Sequence, residues 1–138
     1  GPLFTTAERD FNARLAAALR ARGQEVWLPQ EQELRDAGAK AIFEQDVTGI
    51  DWCEAVVACM DGPDPDSGTA WECGYAYRKK RILLFRTDFR AIDEADKGPY
   101  NLMLTESADR RLDLSSADLD TVARRIDAVL REWSGAGA

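Results

Sequence analysis

The chain contains no histidine. That excludes a Ser-His-Asp triad, a Cys-His nucleophile pair and His-ligated zinc. Cysteine is scarce. Cys53, Cys59 and Cys73 are odd in number and lack metal-type C-x-x-C spacing, so they read as small buried or half-buried thiols in a reducing cytosol. Basic residues are outnumbered, with 18 Lys and Arg against 25 Asp and Glu and a formal net charge of −7. A nucleic-acid groove needs clustered Lys and Arg, so no nucleic-acid partner is expected, whereas a small neutral ligand needs no basic cradle. There is no run of about 18 apolar residues to span a membrane and no visible signal-peptide pattern. A cytoplasmic protein with no membrane partner is the expectation.

What is present suits one domain. The 138 residues are 45% hydrophobic and 31% charged, enough for a core and a solvated surface. Thr6 to Arg22 has helical periodicity, with Phe11, Leu15, Ala18 and Leu19 on one face and Gly23 as its stop. Glu25-Val26-Trp27-Leu28 reads as a short strand ended by Pro29, and Gln30 to Gly38 as loop or irregular helix. Ala39 to Trp52 reads as a helix with Ile42, Asp46, Gly49 or Ile50, and Cys53 on one side. Ala55 to Met60 and Arg81 to Phe85 are apolar runs of buried-strand type. Thr87 to Tyr100 is charged and irregular, a flap candidate. Asn101 to Thr105 is short and apolar, Arg111 to Leu114 a minor strand, and Leu119 to Trp133 a final amphipathic helix. The domain is expected over residues 1–133, with 134–138 a disordered tail. Strands alternating with helices imply a single-domain α/β fold, a parallel sheet with helices on both faces.

The most informative stretch is Asp64 to Ala76, DPDSGTAWECGYA, between the two buried strands. An acidic loop and a helix presenting a carboxylate, Glu72, at strand ends are how α/β sheets build sites. Ser67 or Asp66 is the expected N-cap, and the helix dipole is expected to favour the Glu72 anion. Trp71, Cys73, Gly74 and Tyr75 around it are not the neighbours of a solvated Glu. The motif D-S-G-T-A-W-E-x-G-Y-A resembles the signature of the nucleoside 2-deoxyribosyltransferases, in which the Glu is the nucleophile.

The resemblance implies roles for other residues. Asp66 would contact the sugar hydroxyls, which is compatible with capping because a carboxylate has two oxygens. Asp46, in Gln45-Asp46-Val47-Thr48-Gly49-Ile50, matches the family's N/D-x-x-x-I segment and would contact the nucleobase as proton donor or hydrogen-bond partner. From the residues alone, an Asp sharing a helix face with Ile42 and Ile50 is poorly explained by solvation. Asn101 and Met103, after Gly98-Pro99-Tyr100, resemble the family's P-x-N-L-M, whose Asn reaches a neighbouring subunit's sugar site; a helix N-cap is the plainer reading of Asn101. Gln32 or Gln30 would read the base. Gly1 to Phe4 matches the turn that walls base and sugar, so Phe4 would stack on the base. Asp51, Glu54 and Asp64 read as exposed. The family fold is flavodoxin-like or Rossmann-like and opens with a strand running into an A-G-P-type turn. Since this chain begins inside that turn, the resemblance implies a further strand ahead of Gly1.

The activity implied is exchange of the base of 2′-deoxyribonucleosides with free nucleobases through a deoxyribosyl ester on Glu72, without metal or cofactor. The runner-up is hydrolysis of 2′-deoxynucleoside 5′-monophosphates on the same nucleophile. A different class of reading is a non-catalytic nucleotide-binding or TIR-like interaction domain. The resemblance also implies a homo-oligomer, dimer up to hexamer, with shared active sites.

Overall fold

A computed structural model of the chain describes residues 1–32, 36–90 and 99–135. Three strands form one sheet in the order β1-β2-β3: β1 is Ala55–Cys59, β2 is Arg81–Arg86 and β3 is Arg110–Asp113. Both pairings are parallel, with Ala55 opposite Arg81 and Leu83 opposite Arg110. Parallel neighbours need crossover connections. These run through α3 (Ser67–Ala76) and α4 (Leu102–Ser107); α1 (Thr6–Arg20) and α2 (Ala39–Trp52) precede β1, and α5 (Leu119–Trp133) closes the described fold.

Strand alternation divides the core into two layers. Cys59, Leu83, Phe85 and Leu112 face Leu15 and Leu19 of α1 and Val122, Ala123, Ile126 and Val129 of α5. Ala58, Met60, Ile82 and Leu84 face the other way, toward Ile50 of α2, Cys73 and Ala76 of α3 and Leu104 of α4. Central strand β2 is therefore covered on both faces, which explains its unbroken apolar run. The α/β fold with helices on both faces matches the sequence expectation.

The C-terminal ends of β1 and β2 are tied together. The buried Arg86 guanidinium donates to the carbonyls of Met60 at 2.7 Å, Gly62 at 3.1 Å and Asp88 at 3.2 Å, and to that of Arg90. Asp61 returns the link by accepting from the amides of Thr87 at 2.6 Å and Asp88 at 2.9 Å. The loop from Met60 toward α3 is anchored by this pair. Thr87 to Arg90 of the expected flap belong to the same lock, whereas 91–98 lie outside the described residues, as do 33–35 and, in the expected tail, 136–138.

Glu25-Val26-Trp27-Leu28 is not a strand. A strand exists through its ladder, and among the described residues β1 pairs only with β2. Residues 24–30 instead face the free edge of β1 across an open cavity of about 680 Å³ lined by Val26, Leu28, Val56, Val57, Gly1 and Glu72, among others. Trp27 packs on Gly49 of α2, where a Cβ would stand 2.4 Å from the indole Nε1, and on Trp52, with ring centroids 6.0 Å apart.

Candidate active site

Asp66 is the N-cap of α3. Its Oδ2 accepts from the Thr69 amide at 2.9 Å and the Thr69 hydroxyl at 3.2 Å. Thr69 is buried, so the first turn is fixed. Glu72 follows in the second turn and is half-buried. Burial raises its pKa, and the charges of Asp46 and Asp66 add to the shift. Burial thus outweighs what the helix dipole offers, since that acts within the first turn and Glu72 lies beyond it. Asp46, half-buried on α2, is also raised, by burial.

The charges of Asp46 and Asp66 thus act on Glu72, and Gly1 lines the same cavity as Glu72. Gly1 sits at the C-terminal end of β1, where a Cβ on it would stand 2.7 Å from the Cys59 Cβ. Phe4 in the same turn is 75% exposed. Gln30 lines the cavity but is held by α1, donating to the Arg9 carbonyl at 2.8 Å and accepting from Asn12 at 3.2 Å; Asn12 also donates to the Pro2 carbonyl at 3.0 Å. Gln32 is half-buried and is not among the cavity-lining residues.

Asn101 caps its own helix, accepting from the Met103 amide at 2.9 Å, and is exposed; Met103 is 74% exposed. Neither lines the cavity that holds Glu72. Tyr100 is buried within its own chain. Asp51 accepts from the Tyr75 hydroxyl at 3.0 Å. Burial pushes the Cys59 thiol up to about 12 and the Cys73 thiol to about 11, so both are inert at neutral pH. Among the described residues no three metal-type ligands gather.

One contributor escaped the motif reading. Glu8 accepts from the amides of Phe4 at 2.9 Å and Thr5 at 2.8 Å, while its own amide donates to Thr5 Oγ1 at 3.2 Å. This capping box fixes the N-terminal turn over the site. Its signal, Thr5-Thr6-Ala7-Glu8, is present in the sequence.

A doubly covered parallel sheet carries, on the helix that follows a strand, a half-buried Glu on which the charges of two aspartates act. The chain belongs to the nucleoside 2-deoxyribosyltransferase family, whose model matches residues 1–103. That family is one of enzymes acting on nucleosides. Two solved structures share the fold. A conserved protein from Enterococcus faecalis V583 is 25% identical, with a TM-score of 0.73 over 91% of this chain and 92% of that one. A CMP N-glycosidase, BcmB, of Clostridium botulinum is 18% identical, with a TM-score of 0.62 over 88% of this chain and 89% of that one. No curated protein matches the chain. No helix among the described residues is long and apolar enough to cross a membrane.

Proposed function

We propose that the chain is a nucleoside 2-deoxyribosyltransferase that exchanges the bases of 2′-deoxyribonucleosides by a retaining, ping-pong mechanism with Glu72 as nucleophile. The observation that carries this reading is the half-buried Glu72 carboxylate with Asp46 and Asp66 close enough for their charges to act on it, in a chain of this family. An ionised Glu72 oxygen attacks C1′, and the bond from C1′ to the base nitrogen breaks. The electron pair leaves with the base, which takes a proton from Asp46. The resulting deoxyribosyl ester is attacked at C1′ by the nitrogen of a second base. That base gives its proton to the Asp46 carboxylate left by the first step, and Glu72 leaves as carboxylate. Two inversions retain the configuration, as in retaining glycosidases. Burial supports both roles: it makes the Glu72 anion more basic and keeps a proton on Asp46 to higher pH. Asp66 holds the sugar hydroxyls with the oxygen not used in capping.

The test is incubation with deoxyinosine plus free adenine and, separately, with deoxynucleoside monophosphates. Appearance of deoxyadenosine supports transfer. Release of base from the monophosphates without exchange replaces the reading with an N-glycosidase, and turnover of neither substrate leaves a binding module.

A further inference from the structure

We propose that Arg86 is a positioning residue for this site: by clamping the loop that leads into α3, it sets where Asp66 meets the sugar. The inference rests on the nucleoside-transfer reading, in which Asp66 holds the sugar hydroxyls. Arg86 is the last residue of β2 and is only 5% exposed. A buried charge is costly unless its donors are used. Among the described residues no carboxylate makes an ion pair with this one. Its donors go to the carbonyls of Met60, Gly62, Asp88 and Arg90. An apolar side chain could close the end of β2 at no greater cost. What the guanidinium adds is direction, a rigid fork of donors that holds two backbone segments at once.

One of those segments leads to the site. Met60 and Gly62 open the loop between β1 and α3, and Asp66 ends it. The exit of β2 holds the same turn again. Asp61 accepts from the amides of Thr87 at 2.6 Å and Asp88 at 2.9 Å and from the Thr87 hydroxyl. The Gly62 amide donates to Asp88 Oδ2 at 3.2 Å. Gly62 has φ +110°, and a Cβ there would stand 3.3 Å from the Asp64 carbonyl oxygen, so another residue would strain the turn. From Gly62 the chain runs through Pro63-Asp64-Pro65 to Asp66, and Pro65 is buried. Each proline has φ locked near about −65°. Few torsions are left to absorb a shift at Gly62, so a shift there is passed to Asp66. Asp66 spends Oδ2 on Thr69, and the place of its other oxygen depends on this short, clamped segment.

The test is a double-mutant cycle on the whole chain: wild type, Arg86→Met, Asp66→Asn and the pair, with Arg86→Lys and Asp61→Ala beside them. Arg86→Met fills similar space without donors, and Arg86→Lys keeps the charge without the fork. KM and kcat are measured for base exchange on deoxyinosine with free adenine, with melting temperatures alongside. Active sites are counted by the burst of base released from a 2-fluoro-2-deoxy nucleoside. The expected result is a rise of about tenfold in deoxyinosine KM for Arg86→Met, the scale of one hydrogen bond to a charged group, with kcat per site changed far less. Arg86→Lys should fall between it and wild type, and Asp61→Ala should move KM the same way. In the Asp66→Asn background the Arg86→Met rise should vanish, because the group that Arg86 positions is already gone. A purely structural lock would lower the melting temperature and leave KM unmoved. That outcome, or a KM rise that adds in full to that of Asp66→Asn, overturns the role of Arg86. Should Arg86→Met fail to fold, Arg86→Lys takes its place in the cycle. A wild type that only releases base from dAMP overturns the transfer reading, and the same cycle on dAMP then decides Arg86 separately. Turnover of neither substrate overturns both.

Discussion

Asp66 commits one carboxylate oxygen to starting the helix that carries Glu72: Oδ2 receives both the amide and the hydroxyl of Thr69. Oδ1 has no hydrogen bond among the described residues, and that division of labour separates stability from binding. Asp66→Ala should lose the cap, at about 1 kcal/mol, together with the sugar contact. Asp66→Asn retains an oxygen for capping and should keep most of the stability while raising KM for deoxyribonucleosides. Thermal melts and steady-state kinetics on both variants check this; an Asn variant as unstable as the Ala variant, with unchanged KM, contradicts it.

Glu72→Gln and Glu72→Ala should cut base exchange by a factor on the order of 10³ or more, the scale for losing a covalent nucleophile. The fold should survive, since Glu72 belongs to neither core layer. A 2-fluoro-2-deoxy nucleoside should leave a sugar adduct on the peptide that contains Glu72. An adduct on Asp46 or Asp66 would reassign the roles.

The acid limb of the kcat/KM profile should lie above the ordinary carboxylate range. Glu72 must be ionised to attack, and burial, with the nearby Asp46 and Asp66 charges, raises its pKa. Activity is therefore lost as pH falls through that raised value. Asp46→Asn removes a like charge, which favours the Glu72 anion, so whatever activity remains should show its acid limb at lower pH. An acid limb unmoved or displaced upward would separate Asp46 from Glu72.

Much of this was legible in the residues. Continuous apolar runs marked β1 and β2 because parallel strands are covered on both faces, and α2 and α5 end where their periodicity ends. Type and place narrowed the cap of α3 to Asp66 or Ser67, and the structure gives Asp66. Local pattern does not report distant partners, and the misses share that cause. Val26 to Leu28 is strand-like in composition, yet no ladder reaches it. Arg86 and Asp61 lock two loops across 25 positions of sequence, a link no window could register. The direction of the Glu72 shift depends on how deeply the second turn of α3 is buried, which only the packing decides.

Gly49→Ala should destabilise the chain through Trp27. The added Cβ would stand 2.4 Å from Nε1 and 2.7 Å from Cδ1 of the indole, too close for either to remain. Overpacking of this kind costs about 1–3 kcal/mol. The indole N–H is buried without a partner among the described residues, so Trp27 has no hydrogen bond of its own to hold it against displacement. A drop in melting temperature together with a change in Trp fluorescence is expected; an unchanged melt would mean that residues 24–30 yield at little cost. In Gly49→Ala with Trp27→Leu, the smaller side chain should restore part of the loss.

Asn101 should serve a site on another copy of the chain. It stands exposed at the start of α4, away from the cavity that Glu72 lines, and its side-chain oxygen is occupied by the Met103 amide. Its Nδ2 has no partner among the described residues. Leu102 at 40% and Met103 at 74% exposure form an apolar surface beside it. Near Glu72, Phe43 and Trp71 form a second exposed apolar surface, their centroids 5.2 Å apart, with half-buried Tyr75 stacked on Trp71 at 5.4 Å. Apolar surfaces of this kind are the ordinary material of subunit contacts, and a two-fold interface would give each site the other chain's Asn101. The measurement mixes inactive Glu72→Ala protein with Asn101→Ala protein under conditions that exchange subunits. If sites are shared, some hybrids hold both wild-type residues in one site and activity partly returns. Absence of recovery despite demonstrated exchange, or full activity from a protein that sediments as a monomer, would confine Asn101 to capping α4.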